Sequence, residues 1–189
     1  AEIGINHNGS VEIARQLIEA AKWAGADAVK FQKRTVDVVY TPEELARPRE
    51  NPFGATNGDL KRGLEFGTNE YEQIDQLCFL RDIHWFASPW DVGSVDFLEK
   101  FSVPWHKVAS ACLTDLSLLH EIDNTLKPVI ISTGMSTLAQ IETAVDVFTH
   151  PAITLLACTS TYPAKPEELN LSRIHTLIEE FPELQIGYS

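Results

Sequence analysis

Two lysines interrupt runs that are otherwise apolar: Lys30 in DAVKFQ (residues 27–32) and Lys107 in WHKVAS (105–110). An ammonium removed from water is costly unless an anion and hydrogen bonds compensate, so each lysine requires a partner. Two kinds of partner fit. One is internal, a carboxylate such as Glu2 held in a structural ion pair. The other is a ligand clamped by both lysines and by the hydroxyls of Ser88, Ser110, Ser132 and Ser160, each at the end of an apolar run. Two cations with several hydroxyl donors suit a phosphate that has a carboxylate nearby. A lone serine at a strand end usually serves a turn, but four in register read as the lining of a site. The polar run is longest in LLACTSTYPAKPEELNL (155–171), where Cys158, Thr159, Ser160, Thr161 and Tyr162 follow a buried-strand pattern.

Other chemistries lack their residues. His7 and His106 have no HxH or HExxH spacing and read as structural histidines. There is no GxSxG nucleophile elbow, no GxGxxG after the first apolar run, where GINHNGS stands, and no GxxxxGK[ST] phosphate loop. Cys78, Cys112 and Cys158 form no CxxC pair and are odd in number, which fits a reducing, cytoplasmic compartment and no disulfide framework. Cys112 and Cys158 read as small buried residues, Cys112 with the alternative of facing the site.

The elements that must position these groups are seven apolar runs, starting at residues 2, 27, 83, 105, 128, 153 and 184. The gaps hold helical patterns. Ser10 caps one that carries Ile13, Leu17, Ile18, Ala21 and Ala24 and ends at Gly25. Asn69 caps one with Ile74, Leu77 and Leu80, and Thr137 precedes Ile141, Ala144 and Val145. Alternating strands and helices predict parallel βα units. Six runs end in polar residues (KFQKR, FASPWD, KVAS, ISTGM, CTSTY, GYS), and parallel strands direct such ends to one ligand-binding face. Without a dinucleotide fingerprint, similar successive units favour one kind of α/β fold, a TIM (β/α)8 barrel, over an open sheet. Both termini read as strand, so the expectation is one incomplete barrel domain over 1–189, truncated after strand 7. The segment 33–67, rich in Pro, Gly, Arg and Glu, is longer than a βα connection needs and is expected to be functional or mobile.

Composition sets bounds. The 189 residues are 44% hydrophobic and 22% charged, as in a globular domain. A net charge of -12 argues against nucleic acid as a partner, and no apolar run approaches the ~20 residues of a membrane helix.

Taken in order and spacing, AEIGINHNGS, VKFQ, PFGATNGDLKRGLEFG, FASPWD, HKVAS, VIISTGM, CTSTYPAKPEELNL and IGYS resemble the sialic acid synthase family. That family condenses phosphoenolpyruvate with N-acetylmannosamine or a related amino sugar on a (β/α)8 barrel. The resemblance implies that Lys30, Lys107, Ser110, Ser132 and Ser189 contact phosphoenolpyruvate, with Ser88 at a position that offers a hydroxyl. Ser160 and Tyr162 then line the phosphate and the sugar, Gln32 neighbours the substrate, and Glu2 works near the sugar aldehyde, with Glu2 and Lys107 as catalytic residues. It implies a divalent cation, Mn2+ or Mg2+, whose histidine ligands are expected beyond Ser189. It also implies a homodimer in which a C-terminal antifreeze-like domain, missing from these residues, covers the partner's sugar site. The 189 residues alone are therefore expected to be inactive. One position departs from the family pattern: an acid usually follows the serine of KxxS by two residues, and here Cys112 stands there. Asp91 or Asp115 is the candidate substitute; otherwise the acceptor is a legionaminate-, pseudaminate- or spore-coat-type sugar, or the barrel binds a phosphorylated ligand without turnover.

Overall fold

The structure is a computed structural model and describes residues 1–150 and 152–189. Its contacts divide the chain into two compact units, 1–104 and 105–189.

The first unit opens with β1 (Glu2–Gly4), α1 (Val11–Trp23) and β2 (Ala28–Lys33). Ser10 caps α1 by accepting from the Ile13 amide, and Gly25, at φ +83°, takes the left-handed conformation that ends the helix. After β2 the chain forms α2 (Val36–Val39), α3 (Pro42–Ala46), the hairpin strands β3 (Pro48–Asn51) and β4 (Gly54–Thr56), and α4 (Asn57–Leu64). Then come α5 (Thr68–Leu80), β5 (His84–Pro89) and α6 (Val92–Glu99). Strands β1, β2 and β5 form a parallel sheet in that order. Its core is aromatic. Tyr71 of α5 is 1% exposed, lies among Phe31, Trp85, Phe97 and Phe101, and donates its hydroxyl to the Gln32 carbonyl at 2.9 Å. A ring of that size buried among others dominates local packing energy, and its polar tip needs the partner that β2 supplies.

The second unit runs β6 (His106–Val108), a 3-10 turn (Ser110–Cys112), α7 (Leu116–Asn124), β7 (Val129–Ser132), α8 (Leu138–Val145) and β8 (Ile153–Ala157). A 3-10 turn (Pro166–Glu168), α9 (Arg173–Glu180) and β9 (Gln185–Tyr188) complete it. All four strands are parallel, in the order β6-β7-β8-β9. Ile153, Leu155 and Ala157 are buried while Thr154 and Leu156 are half-buried, the period of two expected of a strand covered more fully on one face.

The fold is therefore α/β with parallel sheets, and each of the seven apolar runs contains a strand. One expectation changes. Asn69 lies inside α5, not at its cap: the helix starts after Gly67, whose amide is taken by Glu70 at 2.8 Å. The 33–67 segment is regular structure pinned at both ends. Glu65 accepts from the Arg34 side chain at 2.6 Å and from its amide at 3.1 Å, and Lys33 donates to the Phe66 carbonyl at 2.8 Å. Burial opposes the Arg34 charge, yet the Glu65 carboxylate and Tyr40 hydroxyl hold its pKa above the ordinary value. Among the described residues no helix is long and apolar enough to cross a membrane.

Candidate functional site

At the strand ends of the second unit Lys107 meets Ser132, and Ser110 and Ser160 meet at Gly134. Lys107 is 5% exposed and donates to the Ser132 hydroxyl oxygen and, at 2.8 Å, to the Val108 carbonyl. The Gly134 amide donates to Ser110 Oγ at 3.0 Å. Both donors carry only protons, so each serine oxygen is the acceptor and its own O–H is left to donate. Two hydroxyls, Ser132 on a buried ammonium and Ser110 on a backbone amide, are thereby left to donate, as an anion would require. A Cβ on Gly134 would fall 2.8 Å from Ser110 Oγ and well inside contact distance of Ser160 Oγ, so glycine here is what lets the two hydroxyls approach. Thr133, donating its amide and hydroxyl to the Leu156 carbonyl at 3.0 and 2.9 Å, fixes the turn that presents Gly134.

The polar run that follows β8 divides by side. Thr159 donates to the Glu168 and Leu169 carbonyls, both at 3.3 Å, and Thr161 to the Glu168 carboxylate at 2.9 Å, so these two fold the following loop. Ser160, between them, is the member that meets Ser110 and Gly134. Tyr162 is 95% exposed and packs into no cluster; Ser189 is exposed, with its amide on the Ala157 carbonyl at 3.0 Å.

In the first unit Glu2, Lys30 and Gln32 come together around Gly4. Lys30 and Glu2 form an ion pair, so the internal partner exists for this lysine. Gly4 has φ +51°, and a Cβ there would lie 2.5 Å from Glu2 Oε1 and 3.4 Å from Gln32 Nε2. Ser88 is buried beside Gln32 in the strand register. His7 follows β1, stacked on Phe66 with ring centroids 3.9 Å apart and accepting the Gly9 amide at Nδ1. Burial, with the Arg34 charge adding to it, lowers its pKa to about 4, so it is a neutral packing residue at pH 7.

The acids named as substitutes at the Cys112 position have other work. Asp91 accepts from the Thr35 amide (2.6 Å) and hydroxyl (3.0 Å) and from the Ser94 amide (2.9 Å) and hydroxyl (2.7 Å), capping α6. Asp115 caps α7 through the Leu118 amide at 3.1 Å. Cys112 is buried at the end of the 3-10 turn that starts at Ser110. Among the described residues no three His, Cys, Asp or Glu side chains are grouped so as to hold a metal ion. Sequence reasoning missed Gly4, Gly134 and the Lys33–Arg34–Glu65 anchor. Only the anchor left a trace, as charged residues flanking the long insertion.

The NeuB family profile matches residues 17–189, and the chain belongs to that family. It is 34% identical, over 193 aligned residues, to the N-acetylneuraminate-9-phosphate synthase of Mus musculus, covering 100% of this chain and 54% of the relative. It is also 34% identical to the N,N'-diacetyllegionaminic acid synthase of Legionella pneumophila, covering 100% of this chain and 56% of the relative. The chain thus spans about half the length of these curated relatives. A crystal structure of an N-acetylneuraminic acid synthetase from Leptospira borgpetersenii superposes with a TM-score of 0.88 at 30% identity, covering 100% of this chain and 62% of that one.

Proposed function

We propose that the protein is a nonulosonate synthase that condenses phosphoenolpyruvate with an amino sugar and releases phosphate, on a (β/α)8 barrel to which this chain contributes seven strands. The observation that carries the reading is the pair of polarised hydroxyls, Ser132 on Lys107 and Ser110 on the Gly134 amide, placed with Ser160 at strand ends. In this reading these groups hold the phosphate of phosphoenolpyruvate. Lys30, Gln32, Ser88 and Ser189 contact the rest of the enol and its carboxylate, while Glu2 and Tyr162 face the sugar. A C–C bond forms between the enol methylene and the sugar's aldehyde carbon, water adds to the resulting oxocarbenium carbon, and phosphate leaves. Preorganised donors lower the barrier because they are already aimed where charge sits, in a site poor in water.

A divalent cation, Mn2+ or Mg2+, belongs to the proposal for the whole protein, where it would polarise the aldehyde. The described residues of this chain do not assemble a donor set for it, so their part is to bind and orient phosphate and carboxylate. Homodimerisation and a cytoplasmic setting are proposed with it. With Cys112 at the position of the usual acid, the acceptor is proposed from the set N-acetylmannosamine, its 6-phosphate and the legionaminate-, pseudaminate- and spore-coat-type sugars. The test is release of inorganic phosphate from phosphoenolpyruvate by the full-length protein with each sugar in turn. Release that requires both substrates supports the synthase. Phosphoenolpyruvate binding with no release for any sugar replaces it with a binding-only barrel.

A further inference from the structure

The insertion between β2 and α5 carries a cleft of about 390 Å³, formed by α3, the β3-β4 hairpin and α4. Pockets for small ligands start at about this size. Arg47, Arg49 and Lys61 line it together with Tyr40, Glu44 and Asn57, three cations against one acid on a chain whose net charge is -12. With 27 acidic and 15 basic residues, surface cations should readily find carboxylates. Yet among the described residues none of these three is in a salt bridge, whereas neighbouring Arg62 pairs with Asp37 and Arg34 with Glu65.

Hydrogen bonds tie the walls of the cleft together. Asn57 is its hub: its amide N–H donates to the Arg47 carbonyl at 2.9 Å, its side-chain nitrogen donates to the Glu44 carbonyl at 3.2 Å, and its side-chain oxygen accepts from the Arg49 guanidinium at 3.3 Å. Lys61 is steadied over the Tyr40 ring, 4.8 Å from its centroid. Glu44 is occupied by its own helix cap, accepting the Thr41 amide at 3.0 Å and hydroxyl at 3.2 Å. These bonds, with Arg47 and Lys61 nearby, hold its pKa below the usual carboxylate range. Its carboxylate is thus hydrogen-bonded to Thr41, and one acid stands against three cations.

We propose that this cleft is an anion site, distinct from the strand-end clusters, that takes the phosphate group of a sugar-phosphate-sized molecule. Two guanidiniums offer forked donors to phosphate oxygens, Lys61 adds a point charge, and Tyr40 gives an aromatic wall for the carbon skeleton.

The test is a titration of isotopically labelled full-length protein with glucose 6-phosphate, followed by amide NMR, with glucose as the neutral control. Saturable shifts at Arg47, Asn57 and Lys61 are expected with glucose 6-phosphate and none with glucose. The double variant Arg47→Ala, Arg49→Ala should raise the apparent Kd at least tenfold, and Arg49→Lys, which keeps the charge but loses the fork, about threefold. Lys107→Ala should leave this Kd unchanged, which keeps the outcome separate from that of the proposed synthase site. Equal response to glucose, an unchanged Kd in the double variant, or no saturable shift would overturn the proposal.

Discussion

Each unit places polar side chains around a glycine at its strand ends, but the two arrangements treat their lysine differently. Around Gly4, Lys30 already has a carboxylate, Glu2, whose side chain is 48% exposed. In the second unit Lys107 is buried and donates to the Ser132 hydroxyl and the Val108 carbonyl. In the proposed function a ligand carboxylate arriving at Lys30 competes with Glu2. In the same proposal a phosphate arriving beside Lys107 meets the Ser132 hydroxyl, whose proton is left to donate. Two lysines alike in the sequence thus differ in burial and in the partners they hold.

The sharpest way to break this comparison is to remove each lysine separately. Lys107→Ala should lower kcat/KM for phosphoenolpyruvate by at least about a hundredfold, or about 3 kcal/mol, because it removes a buried cation and the donor that orients Ser132. Lys30→Ala should cost about tenfold, since Glu2 already neutralises part of that charge. Phosphate-release kinetics on both variants check the order, and a larger loss for Lys30→Ala would reverse the reading.

A second contrast is pH. His7 packs beside the Gly4 cluster with a pKa of about 4, against the ordinary histidine value of 6.5 that it approaches when unfolded. The unfolded chain therefore binds the proton more readily. The stability that neutral His7 contributes is complete above pH 6.5, declines as pH falls through that value, and stops changing below about pH 4. The span corresponds to about 3 kcal/mol. Chemical denaturation of His7→Phe, which keeps a ring against Phe66, should show a flatter stability profile across that window than the parent protein. An unchanged slope would mean that His7 is not the responsible group.

The two glycines give the next test. Gly134→Ala should weaken phosphoenolpyruvate binding about tenfold by pushing Ser110 and Ser160 apart, with little loss of stability, since no left-handed backbone is involved. Gly4→Ala should instead show its effect in folding, costing about 1–2 kcal/mol because φ is +51° and Glu2 stands in the way. Calorimetric titration and thermal melts of both variants separate the two effects.

What was legible in the sequence follows from where the determining neighbours lie. The parallel strands and the Ser10 and Thr137 caps were readable because their signals, apolar runs and a hydroxyl before a helical period, are local. The β3-β4 hairpin was not, because PRENPFGAT has no apolar alternation: Asn51 bonds to the Arg49 and Thr56 carbonyls, and Asp59 to the Ala55 and Thr56 amides, in place of a packed face. Hydroxyls at strand ends were readable as candidates, but the separate contacts of Thr159, Ser160 and Thr161 depend on Glu168, Leu169 and Ser110. Gly4 and Gly134 were silent because their contribution is a missing Cβ, visible only when distant side chains occupy its place. Asn69 misled for the opposite reason: it is a good capping residue beside a better-placed Glu70, which reaches the Gly67 amide.

The smallest expected effect belongs to Glu2. In Glu2→Gln the ion pair with Lys30 is lost, but the amide keeps the shape and can still accept from the ammonium. With half of the Glu2 side chain in solvent, the stability change should be within about 1 kcal/mol. The same variant should bind phosphoenolpyruvate somewhat more tightly, by about two- to threefold, because Lys30 is released to the ligand carboxylate. Turnover with sugar should nevertheless fall if Glu2 acts at the aldehyde. Tighter binding with slower turnover would place Glu2 on the sugar side of the reaction. Weaker binding would show that the carboxylate positions Lys30 rather than competing for it.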